Sequence, residues 1–121
     1  MTTTVLIVDD HPSFRRFARR LLEDAGFVVL GEASDGESAC ATADRLRPDV
    51  VLLDVLLPDT SGVAVASALA AMPDAPAVVL ISSRTEDDLG SLIADAPVRG
   101  FIPKAALTGA AVTTLLEAGA R

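Results

Sequence analysis

The chain of 121 residues is 50% hydrophobic and 22% charged, enough for one hydrophobic core and too little for two, so it reads as one domain over 1–121 that folds without disulfide or structural metal. Lys and Arg number 10 against 17 for Asp and Glu, a net charge of −7 that disfavours direct binding of nucleic acid, whose phosphates want the opposite sign. A lone cysteine, Cys40, the lack of any apolar run near the ~18 residues of a membrane span, and a first stretch with no basic region or small-residue cleavage site argue against a disulfide scaffold, a membrane protein and a leader, leaving a reducing, cytoplasmic setting as the expectation.

Thr4–Val8 is a short apolar run of strand type that stops at the carboxylates Asp9 and Asp10. Pro12 follows in a first helical turn, where its missing N–H does no harm. Phe14, Phe17, Ala18, Leu21, Leu22 and Ala25 then recur at helical spacing, predicting a helix that Gly26 closes. On that helix Arg15, Arg16, Arg19 and Arg20 form the one basic patch, read either as the wet face of an amphipathic helix or as a partner contact. Phe27–Ala33 predicts a second strand, and Asp35 a cap for a second helix that starts at Gly36 and packs through Ala39, Ala43 and Leu46 until Pro48.

Val50–Asp54 is the stretch that most needs explaining. It is apolar enough to be buried on both faces, yet it ends on one carboxylate and breaks at Pro58. The stripe Val63, Ala66, Leu69 and Ala70 predicts a third helix, running into Met72 and Pro73. A fourth strand, Ala77–Ser82, ends on hydroxyls. A short fourth helix follows, capped by Thr85 with Asp88 and weakened by Gly90. Val98–Ile102 is the expected fifth strand, with Pro103 and Lys104 at its tip, before a last helix lined by Leu107, Ala111, Thr114 or Leu115, and Ala118. Five strands alternating with five helices predict an α/β fold, a doubly wound parallel sheet with helices on two faces.

In such a sheet ligands bind outside the carboxyl ends of the strands. Here those ends carry Asp9 and Asp10, Asp54, Ser82 with Ser83, and Lys104, whereas the second strand, ending in Glu32, Ala33 and Ser34, stands outside the set. Three clustered carboxylates either rise in pKa or take a divalent cation. Oxygen donors of this kind suit Mg2+ or Mn2+, calcium wants a denser run of oxygens, and zinc is disfavoured because His11 is the only histidine and Cys40 the only thiol. A lysine and a hydroxyl beside Asp54 supply what a phosphoryl group there would need, with Asp54 as nucleophile. No G-x-G-x-x-G or G-K-[ST] loop is present, so dinucleotide and P-loop nucleotide binding are not expected. A positive charge at a helix start, as at Lys104, is unfavourable without a local anion.

Taken together, V-D-D at Val8–Asp10, D-V-L-L-P-x-x-x-G from Asp54 to Gly62, the Ser82-Ser83 pair and G-F-I-P-K at Gly100–Lys104 make the whole chain resemble the receiver domain of bacterial two-component response regulators. The run Pro103–Leu107 is similar to the subfamily that carries a C-terminal helix-turn-helix DNA-binding domain. The resemblance implies a flavodoxin-like sheet of order 2-1-3-4-5. It also implies a phosphoryl group accepted on Asp54 from a sensor histidine kinase, and Mg2+ held by Asp10, Asp54 and the carbonyl of Leu56, with Asp9 helping through water. Ser82 and Lys104 would contact the phosphoryl oxygens, while Ser82 and Phe101 would switch the face made by the fourth helix, fifth strand and fifth helix. Phe101 reads equally as an ordinary core aromatic. A homodimer on phosphorylation, and DNA binding through an output domain rather than this one, are further implications.

Pro58 and Gly62 shape the loop after Asp54, His11 reads as a rim residue more than a phosphoryl relay, and the resemblance implies that Arg84 and Leu56 stand at positions that tune the lifetime of the phosphorylated state. Two other readings compete. A receiver-like interaction module independent of phosphorylation would show the loss of an acidic residue or of Lys104, and none is lost; a small-substrate phosphohydrolase would need a cap that the chain has no insertion to build.

Overall fold

The short apolar runs that stop at carboxylates form inner strands of the sheet. Val5, Leu6, Ile7 and Val8 of β1 (Thr4–Val8) and all five residues of β3 (Val50–Asp54) are buried. The computed structural model describes residues 2–84, 89–90 and 93–118. Around β1 and β3 it places α1 (Pro12–Asp24), β2 (Val28–Ala33), α2 (Gly36–Leu46), α3 (Gly62–Ala70), β4 (Ala77–Ser82), β5 (Gly100–Pro103), a 3-10 turn at Lys104–Ala106 and a C-terminal helix, Gly109–Ala118. The sheet is five-stranded with the order β2-β1-β3-β4-β5, every pairing parallel. This is the doubly wound, flavodoxin-like fold expected.

Alternate residues of each strand feed two cores, as the two-residue period of a strand requires. Leu6, Val8, Val51 and Leu53 pack with Ala39 and Ala43 of α2 and Val65, Ala66 and Leu69 of α3. On the opposite face Val5, Ile7, Val50 and Leu52 pack with Ala18 and Leu22 of α1 and Val112 of the C-terminal helix. Among the described residues no helix is long and apolar enough to cross a membrane.

Local signals act as their chemistry dictates. Asp35 accepts a hydrogen bond from the Ser38 N–H at 2.8 Å and so caps α2, while Ser61 Oγ accepts from the Ala64 N–H at 3.1 Å and caps α3. Gly26 ends α1 at φ +96°, a left-handed conformation that glycine adopts without strain.

Several boundaries and faces differ from the sequence reading. Phe27 precedes β2 instead of opening it, and β5 begins at Gly100 because Val98 is still in a turn, its N–H bonded to the Ala96 carbonyl at 2.8 Å. Phe17 is 55% exposed and Ala25 lies at the surface: the apolar stripe of α1 is wider than the strip that meets the sheet, which Ala18 and Leu22 fill. In α3 the buried set is Gly62, Val65, Ala66 and Leu69, with Val63 half-buried and Ala70 exposed, because a helix starting at Gly62 turns the i, i+3, i+4, i+7 face inward. Leu107 is buried ahead of the C-terminal helix, and Ala118 is exposed. Of the expected fourth helix, Leu89, Gly90 and Ile93 are helical; Thr85 and Asp88, the expected cap, lie outside the described residues.

Gly62 positions the site directly. Its N–H bonds the Val55 carbonyl at 2.6 Å, and a Cβ built on it would lie 2.2 Å from the Asp54 carbonyl oxygen. The loop therefore folds back onto the strand it has just left. Gly62→Ala is expected to lower the unfolding free energy by about 1–3 kcal/mol through backbone overpacking. Gly26→Ala, which meets nothing within 4 Å, should cost about 1–2 kcal/mol, from the left-handed backbone alone. Urea unfolding of the two variants checks the ordering.

Candidate functional site

Strand order brings the polar strand ends together. β1, β3, β4 and β5 are successive neighbours, so Asp9 and Asp10 after β1, Asp54 at the end of β3, Ser82 at the end of β4 and Lys104 just past β5 line one edge of the sheet. Asp9, Asp54 and Ser82 are buried. The lysine ties the set together: its Nζ lies 2.5 Å from Asp9 Oδ2 and 3.1 Å from Asp54 Oδ2. It also lies 4.5 Å from the centroid of the Phe14 ring, a cation–π contact from α1.

Backbone groups complete the framework. Asp54 Oδ1 accepts from the Leu56 N–H at 3.1 Å, and Leu56 bridges to Ser61 across the loop while its side chain stays 48% exposed. Ser82 Oγ accepts from the Arg84 N–H at 3.0 Å, and among the described residues its own hydrogen has no acceptor. Asp9 Oδ1 accepts from the His11 N–H at 2.8 Å and meets His11 Nδ1 at 3.0 Å; the rest of His11 faces solvent.

The carboxylates respond differently to one burial. Burial pushes the Asp54 carboxyl above its ordinary range, more than the Leu56 N–H and Lys104 pull it down. Burial also opposes charge on Asp9, but the Lys104 ammonium and the His11 N–H overcome it and hold that carboxyl below the usual range. Lys104 is held above the ordinary lysine value, its own burial outweighed by Asp9 and Asp54.

Three carboxylates against one ammonium leave two formal negative charges. One oxygen from each of Asp9, Asp10 and Asp54, with a nitrogen of His11, lies within 4.8 Å of all the others. Asp10 Oδ1 is buried and among the described residues accepts no hydrogen bond; the nearby His11 Nδ1, 3.1 Å away, is already bonded to Asp9. A buried carboxylate oxygen without a donor, in a cluster with excess negative charge, fits a divalent cation with oxygen preference.

Phe101 is not part of this cluster. Half-buried, it packs on the core beneath α2 and α3, beside a cleft of about 360 Å3 that Ile93 and Val98 help line.

Five residues absent from the sequence reading of the site belong to its surroundings. Glu32, near the end of β2, accepts from Arg15 Nε at 3.0 Å and from Arg19 Nε at 2.8 Å. Arg15 Nη1 also donates to the Asp9 carbonyl at 2.6 Å. Half of the basic patch of α1 is thus ion-paired against the sheet, leaving Arg16 and Arg20 exposed. Phe14 flanks Lys104. Asp59, in the loop after β3, accepts from the Gly36 N–H at 2.8 Å and the Glu37 N–H at 3.1 Å, and the Gly36 N–H chiefly holds its carboxyl below the usual range. The available signal was the i, i+4 spacing of Arg15 and Arg19 and a lone acid near a strand end; neither reveals a partner 17 residues away.

Comparison with known proteins is consistent in one direction. Residues 5–116 match the family described as response regulator receiver domain. The nitrate/nitrite response regulator protein NarP of Escherichia coli K12 is 43% identical over 102 residues, which is 83% of this chain and 47% of NarP. The DNA-binding transcriptional activator EvgA of the same organism is 31% identical over 99 residues, 82% of this chain and 48% of EvgA. The chain thus spans about half the length of these relatives. A CheY-like response regulator receiver domain from Methylobacillus flagellatus superposes with a TM-score of 0.83 at 27% identity, covering 98% of both chains.

Removing Lys104 and removing the charge of Asp54 should act in opposite directions. Lys104→Met leaves Asp9 buried without its cation and is expected to cost about 3 kcal/mol. Asp54→Asn removes a charge that burial disfavours and should stabilise the metal-free protein by about 1 kcal/mol at pH 7. Chemical denaturation in the presence of a chelator measures both. A second expectation concerns Glu32, whose carboxyl burial would raise but Arg19 and Arg15 bring below its ordinary value. A depressed folded pKa means its contribution is complete above the unfolded value near pH ~4.3 and fades as pH falls through the lower folded value. Glu32→Gln should therefore cost on the order of 1 kcal/mol at pH 7 and progressively less below pH ~4, read from melting temperatures across an acid series.

Proposed function

The chain belongs to the response regulator receiver domain family, whose members are self-phosphorylating and self-dephosphorylating switches and not metabolic enzymes, and from that membership we propose that Asp54 accepts a phosphoryl group from a phosphohistidine of a sensor histidine kinase. The observation that carries this reading is the position of Lys104, whose Nζ lies within reach of both Asp54 and Asp9 at the strand ends.

In the transfer an Asp54 carboxylate oxygen forms a bond to phosphorus as the phosphorus–nitrogen bond to the imidazole breaks; the imidazole leaves with the electron pair and takes up a proton. Asp10, Asp54 and the Leu56 carbonyl would hold Mg2+, with Asp9 assisting through water, and the ion would neutralise charge on the phosphoryl oxygens. Lys104 would give up part of its pairing with Asp54 to meet a phosphoryl oxygen, and the Ser82 hydroxyl has a hydrogen available for another. The new group adds roughly −1.5 to −2 charge, which draws both side chains inward. Phe101, half-buried beside its cleft, would follow Ser82 and alter the face formed by β5, the helical segment before it and the C-terminal helix. Water later cleaves the acyl phosphate, at a rate tuned by the exposed Leu56 and Arg84.

Because NarP and EvgA are transcription or response regulators of which the chain spans about half, we place it as the phosphoacceptor part of such a regulator in the cytoplasm. DNA contact would fall to an output domain, and the phosphorylated form would pair with a second copy. The net charge of −7 fits a domain that leaves DNA to another part of the protein.

Intact mass after incubation with a small phosphoryl donor and Mg2+ tests the chemistry. The wild-type chain should gain one phosphoryl group, Asp54→Ala none, and Lys104→Met should label far more slowly. Equal labelling of wild type and Asp54→Ala would overturn the assignment.

A further inference from the structure

The end of β2, the strand that contributes nothing to the carboxylate cluster, holds the backbone of Asp9 from both sides. The Asp9 N–H donates to the Ala33 carbonyl at 3.0 Å. The Asp9 carbonyl accepts from Arg15 Nη1 at 2.6 Å, and Arg15 is oriented by its Nε bond to Glu32, the neighbour of Ala33, at 3.0 Å. Glu32 is itself braced by Arg19. The Asp9 carbonyl belongs to the peptide that joins Asp9 to Asp10, so a donor fixed on that oxygen fixes the plane from which the Asp10 side chain departs.

We propose that Arg15, oriented by Glu32, is a positioning residue for the divalent-cation site, setting the Asp9–Asp10 peptide so that the Asp10 carboxylate points into the cluster. The proposal rests on the reading of Asp10 and Asp54 as cation ligands. It assigns the guanidinium a role opposite to its charge: a cation near a cation site weakens metal binding by Coulomb repulsion, yet here its fork holds a ligand in place. The planar fork is needed because two donors must reach a carboxylate and a carbonyl at once.

Calorimetric titration of the chain with Mg2+ alone, at a temperature where circular dichroism shows every variant folded, reads this without any phosphorylation step. Arg15→Gln and Arg15→Lys are both expected to raise the Mg2+ dissociation constant, by about tenfold, and Glu32→Gln by less, while Arg16→Gln at the exposed neighbour leaves it unchanged. Arg15→Gln is the discriminating variant: a purely electrostatic role would tighten Mg2+ binding, and a purely structural one would lower the melting temperature with the dissociation constant intact. Either result overturns the proposal. Should Arg15→Gln fail to fold, Arg15→Lys, which keeps the charge and loses the fork, decides: an unchanged dissociation constant overturns the proposal. Absence of Mg2+ binding in the wild type would overturn the cation-site reading and this inference together; normal binding in wild type and in both Arg15 variants would overturn this inference alone.

Discussion

The arrangement depends on one ammonium group placed between two buried carboxylates. Asp9 and Asp54 sit where neither is well solvated, and charge in such a place is unfavourable unless it is paired. Lys104 answers both, and it does so because β5 is the edge strand on the side where the sheet lacks acids, so a side chain leaving its tip can reach back across β4 and β3 to β1. The pairing accounts for the divided response of the two acids, one lowered and one raised, since Lys104 and His11 serve Asp9 with more hydrogen bonds than Asp54 receives. It also leaves the cluster short of positive charge, which is the condition for a cation to bind there and for an arriving phosphoryl group to need one.

Much of the fold was legible because its signals are local. An apolar run bounded by a turn becomes a buried strand, and Val50–Asp54 begins and ends where its composition changes. Asp35 caps α2 because a side-chain oxygen three residues before an N–H meets it by geometry alone. The strand-end residues were legible too, since parallel topology delivers every carboxyl end to one edge. What could not be read were choices settled by partners distant in sequence. Phe17 looks as apolar as Ala18, but only the width of the sheet decides which of them it covers. Val63 and Val65 are the same residue type, and the start of α3 at Gly62 selects between them.

The arginines show the same limit in chemical form. Four on one helix read as a wet face or a docking patch, and Arg16 and Arg20 keep that character. Arg15 and Arg19 instead turn toward Glu32, an acid set aside because its strand stood apart from the cluster. A strand at the margin thus reaches the backbone of Asp9 through the Ala33 carbonyl and the Glu32–Arg15 pair, without placing a side chain in the cluster.

Asp59 joins two parts of the molecule that are usually described separately. Its carboxylate takes two N–H groups from the first turn of α2, Asp35 takes the next, and the loop that carries Asp59 also carries Leu56 beside Asp54. The amino end of α2 is consequently closed to any outside anion, so negative charge arriving at this edge is left to Lys104, Ser82 and a bound cation. The same tether makes the loop and the first turn of α2 one mechanical piece: whatever displaces the chain after Asp54 also pulls on a helix that lies under the edge strand β2.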